Sequence, residues 1–181
     1  MKYLLILISF FNSILYSQTK QNIDSISYYN KLANKNLKIR KYDQAIFYTK
    51  KSIDFCVINN KVENLANQTF KLGKIYYNQR NYEEALKKFH QSVSLFKNVK
   101  PSCTKVLAFH YIGVTNTAKG NYTAAEIYYK KAENLLKKLN IADNAETLSY
   151  QKAMAFKNNK NYNAATKPSI QLYRNRIMRQ L

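Results

Sequence analysis

Four tyrosines stand forty residues apart: Tyr42, Tyr82, Tyr122 and Tyr162. Ala45, Ala85, Ala125 and Ala165 keep the same step. A fixed period of this size marks a solenoid, a chain of stacked supersecondary units in which each unit buries its apolar face only against the next. The period narrows the fold more than any bulk property does. Only three Gly and two Pro occur in 181 residues, which suits long helices and disfavours turn-rich β folds. A hydrophobic content of 46% is enough for one domain with a real core. Trp is absent, so the 16 Tyr and 9 Phe supply the large apolar volume.

Inside each step the spacing predicts a helix, a tight turn and an antiparallel helix. Repeat one covers about 26–60, with Tyr29, Leu32 and Ala33 in its first helix and Tyr42, Ala45 and Phe55 in its second. Repeat two, about 66–97, has the clearest pattern. Phe70, Leu72, Gly73, Tyr76 and Tyr77 mark its first helix; Ala85, Phe89, Val93 and Phe96 form one face of its second. Asn81 is placed as the N-cap of that second helix, with Glu83 and Glu84 in the first turn where the dipole favours negative charge. Repeat three, about 106–139, has Ile112 and Gly113, then Gly120-Asn121 at the turn, with Gly120 free to turn left-handed. Pro101 in the preceding connection should end the helix before it. Repeat four, about 146–178, is degraded: Ala153 replaces the Gly, and Pro168 falls in the second helix.

Small residues are needed where two helices touch. Ala33, Gly73, Gly113 and Ala153 occupy one such point, and the alanines of the forty-residue step occupy the other. Leu72-Gly73-x-x-Tyr76 followed by Ala85-x-x-x-Phe89 resembles the tetratricopeptide repeat pattern, over about residues 26–166. The step of forty exceeds the family's usual spacing of about 34. The usual first-helix Trp is Tyr29, Thr69, Phe109 and Ser149, and the late Pro is missing. HEAT and armadillo arrays are the structural alternative and rank lower, because the unit has two helices with small residues at both contacts. The resemblance implies an all-α solenoid of about four helix-turn-helix repeats, without a cofactor or metal, that binds a protein or peptide.

It also implies where a ligand would lie, since the family's groove is lined by the first helix of each repeat. Counted from the small residue, the groove positions are Asn30 and Asn34; Asn67, Phe70, Lys74 and Tyr77; His110 and Val114; and Tyr150, Met154 and Lys157. Leu37, Leu107 and Thr117 fall on the same count. Apolar anchors beside Lys74 and Lys157 suit a peptide with an acidic group. The carboxylate clamp of some family members is not expected, because its places hold Asn30, Asn34, His110 and Val114.

The amino terminus bears on the compartment. Met1-Lys2, an apolar run from Tyr3 to Phe11 continued by Ile14-Leu15, and Ser17 before Gln18 read as a signal peptide over 1–17, cleaved after Ser17. An uncleaved amino-terminal membrane anchor is the alternative. Residues 18–25 read as a polar leader, and the repeat array fills 26–181. The exported array resembles periplasmic sensor regions of Bacteroidota-type bacteria, which precede a membrane span and an output domain. No such span or output domain is read here, so the expectation is a standalone or truncated relative, periplasmic or secreted. Cys56 and Cys103 are expected as two unpaired thiols, with Cys56 a small core residue.

Thirty Lys+Arg against ten Asp+Glu give a formal net charge of +20. The basic residues are scattered over every repeat, without the clustered stripe of a nucleic-acid binder, so nucleic acid is disfavoured. The alternative function is a basic helical module that docks anionic polymers: lipid headgroups, acidic glycans or nucleic acid. A membrane surface and a second copy of the chain stay open as partners. Catalysis is not expected. His90 and His110 lack spaced Cys, Asp or Glu partners, and Lys119-Gly120-Asn121 is a helix turn and not a phosphate loop.

Overall fold

The computed structural model describes residues 25–100 and 102–139. Among them lie six α-helices and no strand. Helix α1 covers 25–38, α2 Tyr42–Ile58, α3 Val62–Asn78, α4 Tyr82–Leu95, α5 Cys103–Ala118 and α6 Tyr122–Lys138. A single turn of 3-10 helix, Phe96–Asn98, extends α4 before Val99 becomes extended. The long period now has a cause. Helices α2, α3 and α6 are each 17 residues long. Two such helices with two three-residue turns make the forty-residue step.

Helices α1, α2, α3 and α5 end by one plan. At the end of α3 the Arg80 N–H donates to Tyr77 O at 2.9 Å and the Asn81 N–H to Tyr76 O at 2.9 Å. At the end of α5 the Gly120 N–H donates to Thr117 O at 3.0 Å and the Asn121 N–H to Asn116 O at 2.8 Å. This is the Schellman pairing, which closes orphan carbonyls and requires a left-handed residue just past the helix. That residue is Arg40 (φ 57°), Asn60 (φ 52°), Arg80 (φ 62°) or Gly120 (φ 81°). At the start of α4, Asn81 Oδ1 accepts from the Glu84 N–H at 3.3 Å, with Glu83 and Glu84 in the first turn. Helices α3 and α5 begin at Val62 and Cys103, ahead of the first apolar-periodic residues near 66 and 106. Their first residues, Val62, Glu63 and Asn64 in α3 and Cys103, Thr104 and Lys105 in α5, are not buried and so lie ahead of the core spacing.

The chain divides into two compact units between Lys61 and Val62. In the first, α1 and α2 are joined by the turn at Arg40. The buried face of α2 is made of small residues, Ala45, Thr49, Ser52 and Cys56. Cys56 is a free buried thiol whose pKa burial pushes up.

The second unit contains two helix pairs, α3 on α4 and α5 on α6, and α5 lies against both α4 and α3. Its main core gathers Phe70, Ala85, Phe89, Ala108 and Ile112, with Tyr76, Tyr77, Leu86, Val93, Phe109, Tyr111 and Tyr128 packed around it. The small residues act as expected. A Cβ on Gly73 would lie 2.7 Å from ring carbons of Phe89 and 3.3 Å from Ala85 O. On Gly113 it would lie 2.8 Å from ring carbons of Tyr129. Each glycine thus lets an aromatic ring of the paired helix lie on bare backbone. A hydrogen bond from Ser92 Oγ to Ala66 O, 2.8 Å, ties α4 to α3. Tyr129 is buried with its hydroxyl 3.3 Å from Thr117 Oγ1. Burial pushes its pKa up to about 12, against the lowering effect of that hydrogen bond. Cys103, at the start of α5, is exposed and free. No helix among the described residues is long and apolar enough to cross a membrane.

Candidate functional site

Residues three and four apart on a helix share one face. On α3 this rule aligns Asn67, Phe70, Lys71, Lys74 and Tyr77. Tyr111 of α5 stands beside that stripe. Its ring centroid is 5.6 Å from that of Phe70, 5.5 Å from Phe89 and 6.0 Å from Tyr77. The Phe70 and Tyr77 contacts are edge-on, at 75° and 85°, the arrangement that ring quadrupoles favour. Tyr77 also meets Tyr82 at 5.7 Å. The outcome is a patch of aromatic rings running along α3 and closed on one side by α5.

Lys74 sits over this patch. Its Nζ is 5.9 Å from the Phe70 centroid and 5.5 Å from the Tyr111 centroid, within cation–π range of both. Burial, then the neighbouring charge of Lys74, lowers the Lys71 ammonium to about 8. The Tyr77 phenol is pushed up by burial, then by Tyr82 and Tyr111. Two unsatisfied acceptors lie on the same helix: Asn67 Oδ1 and Gln68 Oε1 are buried without a hydrogen-bond partner. The α3 stripe and the facing positions of α5 (Thr104, Leu107, His110, Tyr111, Val114) contain no carboxylate. The acids of α4 are engaged elsewhere, Glu84 with Lys87 at 3.7 Å and Glu83 with Lys119. Such a surface can hold an apolar side chain on rings and an anion on an ammonium, while the two amide oxygens lie beneath it. Among the described residues no set of three His, Cys, Asp or Glu is placed to hold a metal ion.

The positions expected to line a groove divide. Asn67, Phe70, Lys74 and Tyr77 come together on α3. Phe70 is only 7% exposed, so it forms the floor of the patch. His110 was expected at an open position and is 1% exposed. It packs between the rings of Tyr129 (5.4 Å) and Tyr111 (6.0 Å) and belongs to the core. Thr117, on the same count, is likewise buried and donates to Gly113 O at 3.0 Å. Val114 is half-buried against the Ala125–Tyr129 cluster, a wall residue. Asn30 is half-buried and Asn34 exposed on α1, within the first unit. Tyr150, Met154 and Lys157 lie outside the described residues. Tyr111 and Lys71 were not anticipated. The signal was present: the two occupy the same register position, forty residues apart, one residue after Phe70 and His110 on the same helical stripe.

Comparison with known proteins matches residues 64–138 to the tetratricopeptide repeat family model, from the first turn of α3 to the end of α6. A search of curated protein sequences finds no match. Among solved structures, BtubC (BKLC) from P. vanneervenii superposes with TM-score 0.69 at 14% identity, over 83% of this chain and 62% of that one. A Rap protein complexed with competence and sporulation factor gives 0.68 at 16%, over 79% and 40%. Aspartyl phosphate phosphatase F from Bacillus subtilis gives 0.64 at 17%, over 88% and 50%. This chain therefore spans between two fifths and two thirds of the length of these neighbours. At such identities the likeness concerns the fold, which is an all-α helical repeat whose segment 64–138 matches the tetratricopeptide repeat.

Proposed function

We propose that this chain is a non-enzymatic scaffold that binds a protein or peptide on the aromatic stripe of α3 and its α5 neighbour. The observation that carries the reading is the Phe70–Tyr77–Tyr111 patch, large rings gathered on first helices and left with an ammonium over them. Aromatic side chains present much contact area at low entropic cost, which suits recognition. A neighbour of the same fold was solved in complex with competence and sporulation factor, which supports a binding use for such arrays. Export with cleavage after Ser17, and service as the sensory part of a signalling system, belong to the same proposal; they rest on the amino-terminal pattern. Sequencing the amino terminus of the secreted or periplasmic chain tests the first point, with Gln18 the expected first residue.

The second reading is a basic surface that docks anionic polymers. It is favoured by exposed lysines on and around α4 and α6, among them Lys97, Lys100, Lys130, Lys131, Lys137 and Lys138. One experiment separates the two. Anisotropy of a labelled mixed-sequence peptide pool is measured at low and raised salt, with the wild-type chain and with Tyr77→Ala/Tyr111→Ala. The scaffold reading expects saturable binding that the double variant weakens about tenfold or more. Binding that collapses by decades with salt and ignores the tyrosines would replace it with backbone-type electrostatics.

A further inference from the structure

We infer that α1 docks the chain on an anionic phospholipid bilayer: Lys31, Lys35 and Lys38 on headgroup phosphates, with Tyr28 and Ile39 entering the interface at the two ends of the stripe. This surface lies on a different helix from the aromatic stripe of α3, and its docking does not depend on a peptide there. Along the sequence the basic residues look evenly scattered. Folding gathers some of them. At 3.6 residues per turn, Tyr28, Lys31, Lys35 and Lys38 fall within an arc of about 80°, opposite the buried Ala33, and Ile39 follows at the turn. The three lysines are exposed, as are Arg40 and Lys41 in the turn. Residues 25–41 include no acid; the nearest along the chain, Asp24 and Asp43, lie outside that span. Among the described helices only α1 carries three lysines and no Asp or Glu. Lysines elsewhere stand among acids: Asp43 and Asp54 on α2, Glu83 and Glu84 on α4, Glu126 and Glu133 on α6.

The apolar members of the stripe decide the kind of anion. Tyr28 is 60% exposed and Ile39 57% exposed. At 1.5 Å per residue they stand about 16 Å apart along the helix axis, with the lysines between them. The Tyr28 ring meets Tyr29 edge-on at 5.6 Å and keeps most of its surface in water. A phosphate chain in water offers nothing that buries an aliphatic side chain. A bilayer interface does, and it takes up Tyr rings at headgroup depth while lysines reach the phosphates along their apolar stems. Anionic lipid attracts each nearby cation, so several on one face add. The amino-terminal apolar run, 3–15, read as a signal peptide or anchor, addresses the same end of the chain to a membrane. Only residues 18–24 separate Ser17 from α1, at most about 29 Å of extended chain.

Trp is absent from the chain, so Tyr28→Trp places a single reporter on the stripe, and Ile39→Trp is a second reporter at its other end. Each full-length variant is mixed at about 150 mM salt with vesicles of phosphatidylcholine, alone or with phosphatidylglycerol, with and without brominated acyl chains. On the anionic vesicles the emission of both reporters should shift to the blue and be quenched by the bromines. On phosphatidylcholine alone it should do neither, even where the apolar run holds the chain to the vesicle. Ile127→Trp, exposed on α6, should show no shift on either. Lys31→Gln/Lys35→Gln/Lys38→Gln added to each reporter chain should abolish shift and quenching, since each lysine contributes about fivefold and the three together about a hundredfold. Removing as much charge from α6, by Lys130→Gln/Lys131→Gln/Lys137→Gln, should leave both signals in place. Circular dichroism confirms that each variant is folded. A signal lost equally in both triple variants overturns the inference in favour of diffuse charge. So does a signal that is the same on both kinds of vesicle, or none on the anionic ones. If a duplex oligonucleotide gives the same shift with the same dependence on the three lysines, the partner is nucleic acid and the lipid assignment falls.

Discussion

Gly73 and Phe89, sixteen residues apart, carry one piece of information between them. The missing side chain of the first makes room for the ring of the second, and Gly113 with Tyr129 repeats the arrangement. At the same interval in the first repeat stand Ala33 and Thr49, both buried. A methyl group at the first position is matched there by a smaller residue at the second. Gly73→Ala therefore tests the packing directly. Helix propensity alone would favour Ala by about 1 kcal/mol. Forcing a Cβ to 2.7 Å from the Phe89 ring and 3.3 Å from a backbone carbonyl brings an overpacking cost of about 1–3 kcal/mol. The expected outcome is a net loss of about 1 kcal/mol in urea unfolding, partly recovered by Phe89→Leu in the same chain. A gain in stability would show that the ring can move aside. These small-to-large pairs were legible in the sequence because the forty-residue step repeats them. The burial of His110 was not. A polar residue on the first-helix stripe looks open when counted from the glycine alone. Phe70, at the same register, is buried against Phe89 of its paired helix as His110 is against Tyr129, so this position is filled within the helix pair.

At the scale of elements, α1, α2, α3 and α5 end by one device and the residues that serve it differ. Three of its left-handed positions hold Arg40, Asn60 and Arg80; only the fourth is Gly120. A left-handed conformation costs a residue with a Cβ about 1–2 kcal/mol. Glycine gives back part of that through its freer unfolded state. Arg80→Gly should therefore raise stability by about 0.5 kcal/mol, and Gly120→Ala should lower it by about 1 kcal/mol. A Cβ at Gly120 would have nothing within 4 Å, so any loss there is backbone strain and not a clash. The urea midpoints of the two variants measure both; midpoints that do not move would mean the turns relax out of the Schellman geometry. The sequence announced Gly120 and the Asn81 cap by residue type. It did not announce Arg40 or Arg80, because a tertiary array can hold an unsuited residue in a turn that the helices on either side determine; Asn60 is of a type that takes this conformation readily. For the same reason the helix starts at Val62 and Cys103 precede the apolar pattern. Helical hydrogen bonding continues through unburied first turns that core periodicity cannot detect.

For the molecule as a whole, the formal net charge of +20 sets a background against which every binding experiment is read. Like charges repel in the compact state, and exposed ion pairs such as Lys87–Glu84 offset little of this. Salt shortens the reach of that repulsion, since the Debye length falls from roughly 20 Å at about 20 mM to under about 6 Å at about 300 mM. Raising salt over this range should therefore stabilise the fold, by about 1 kcal/mol, or a Tm increase of about 2–4 °C for a chain of this size. A scanning calorimetry series in NaCl measures it. A falling Tm would mean that favourable ion pairs outweigh the repulsion, and the long-range charge argument would then be wrong. The prediction also clarifies the choice between functions. Salt that strengthens the fold weakens attraction to an anionic polymer, so loss of polymer binding at high salt cannot be blamed on unfolding. Contacts made on rings by Tyr77 and Tyr111 are apolar and are little screened. A peptide held chiefly by those rings should lose little affinity as salt rises. A polymer held by many lysines should lose it by a factor that multiplies with each contact released. The steepness of that salt dependence, measured where the fold is at its most stable, reports whether the stripe on α3 or the diffuse charge of the whole surface does the binding.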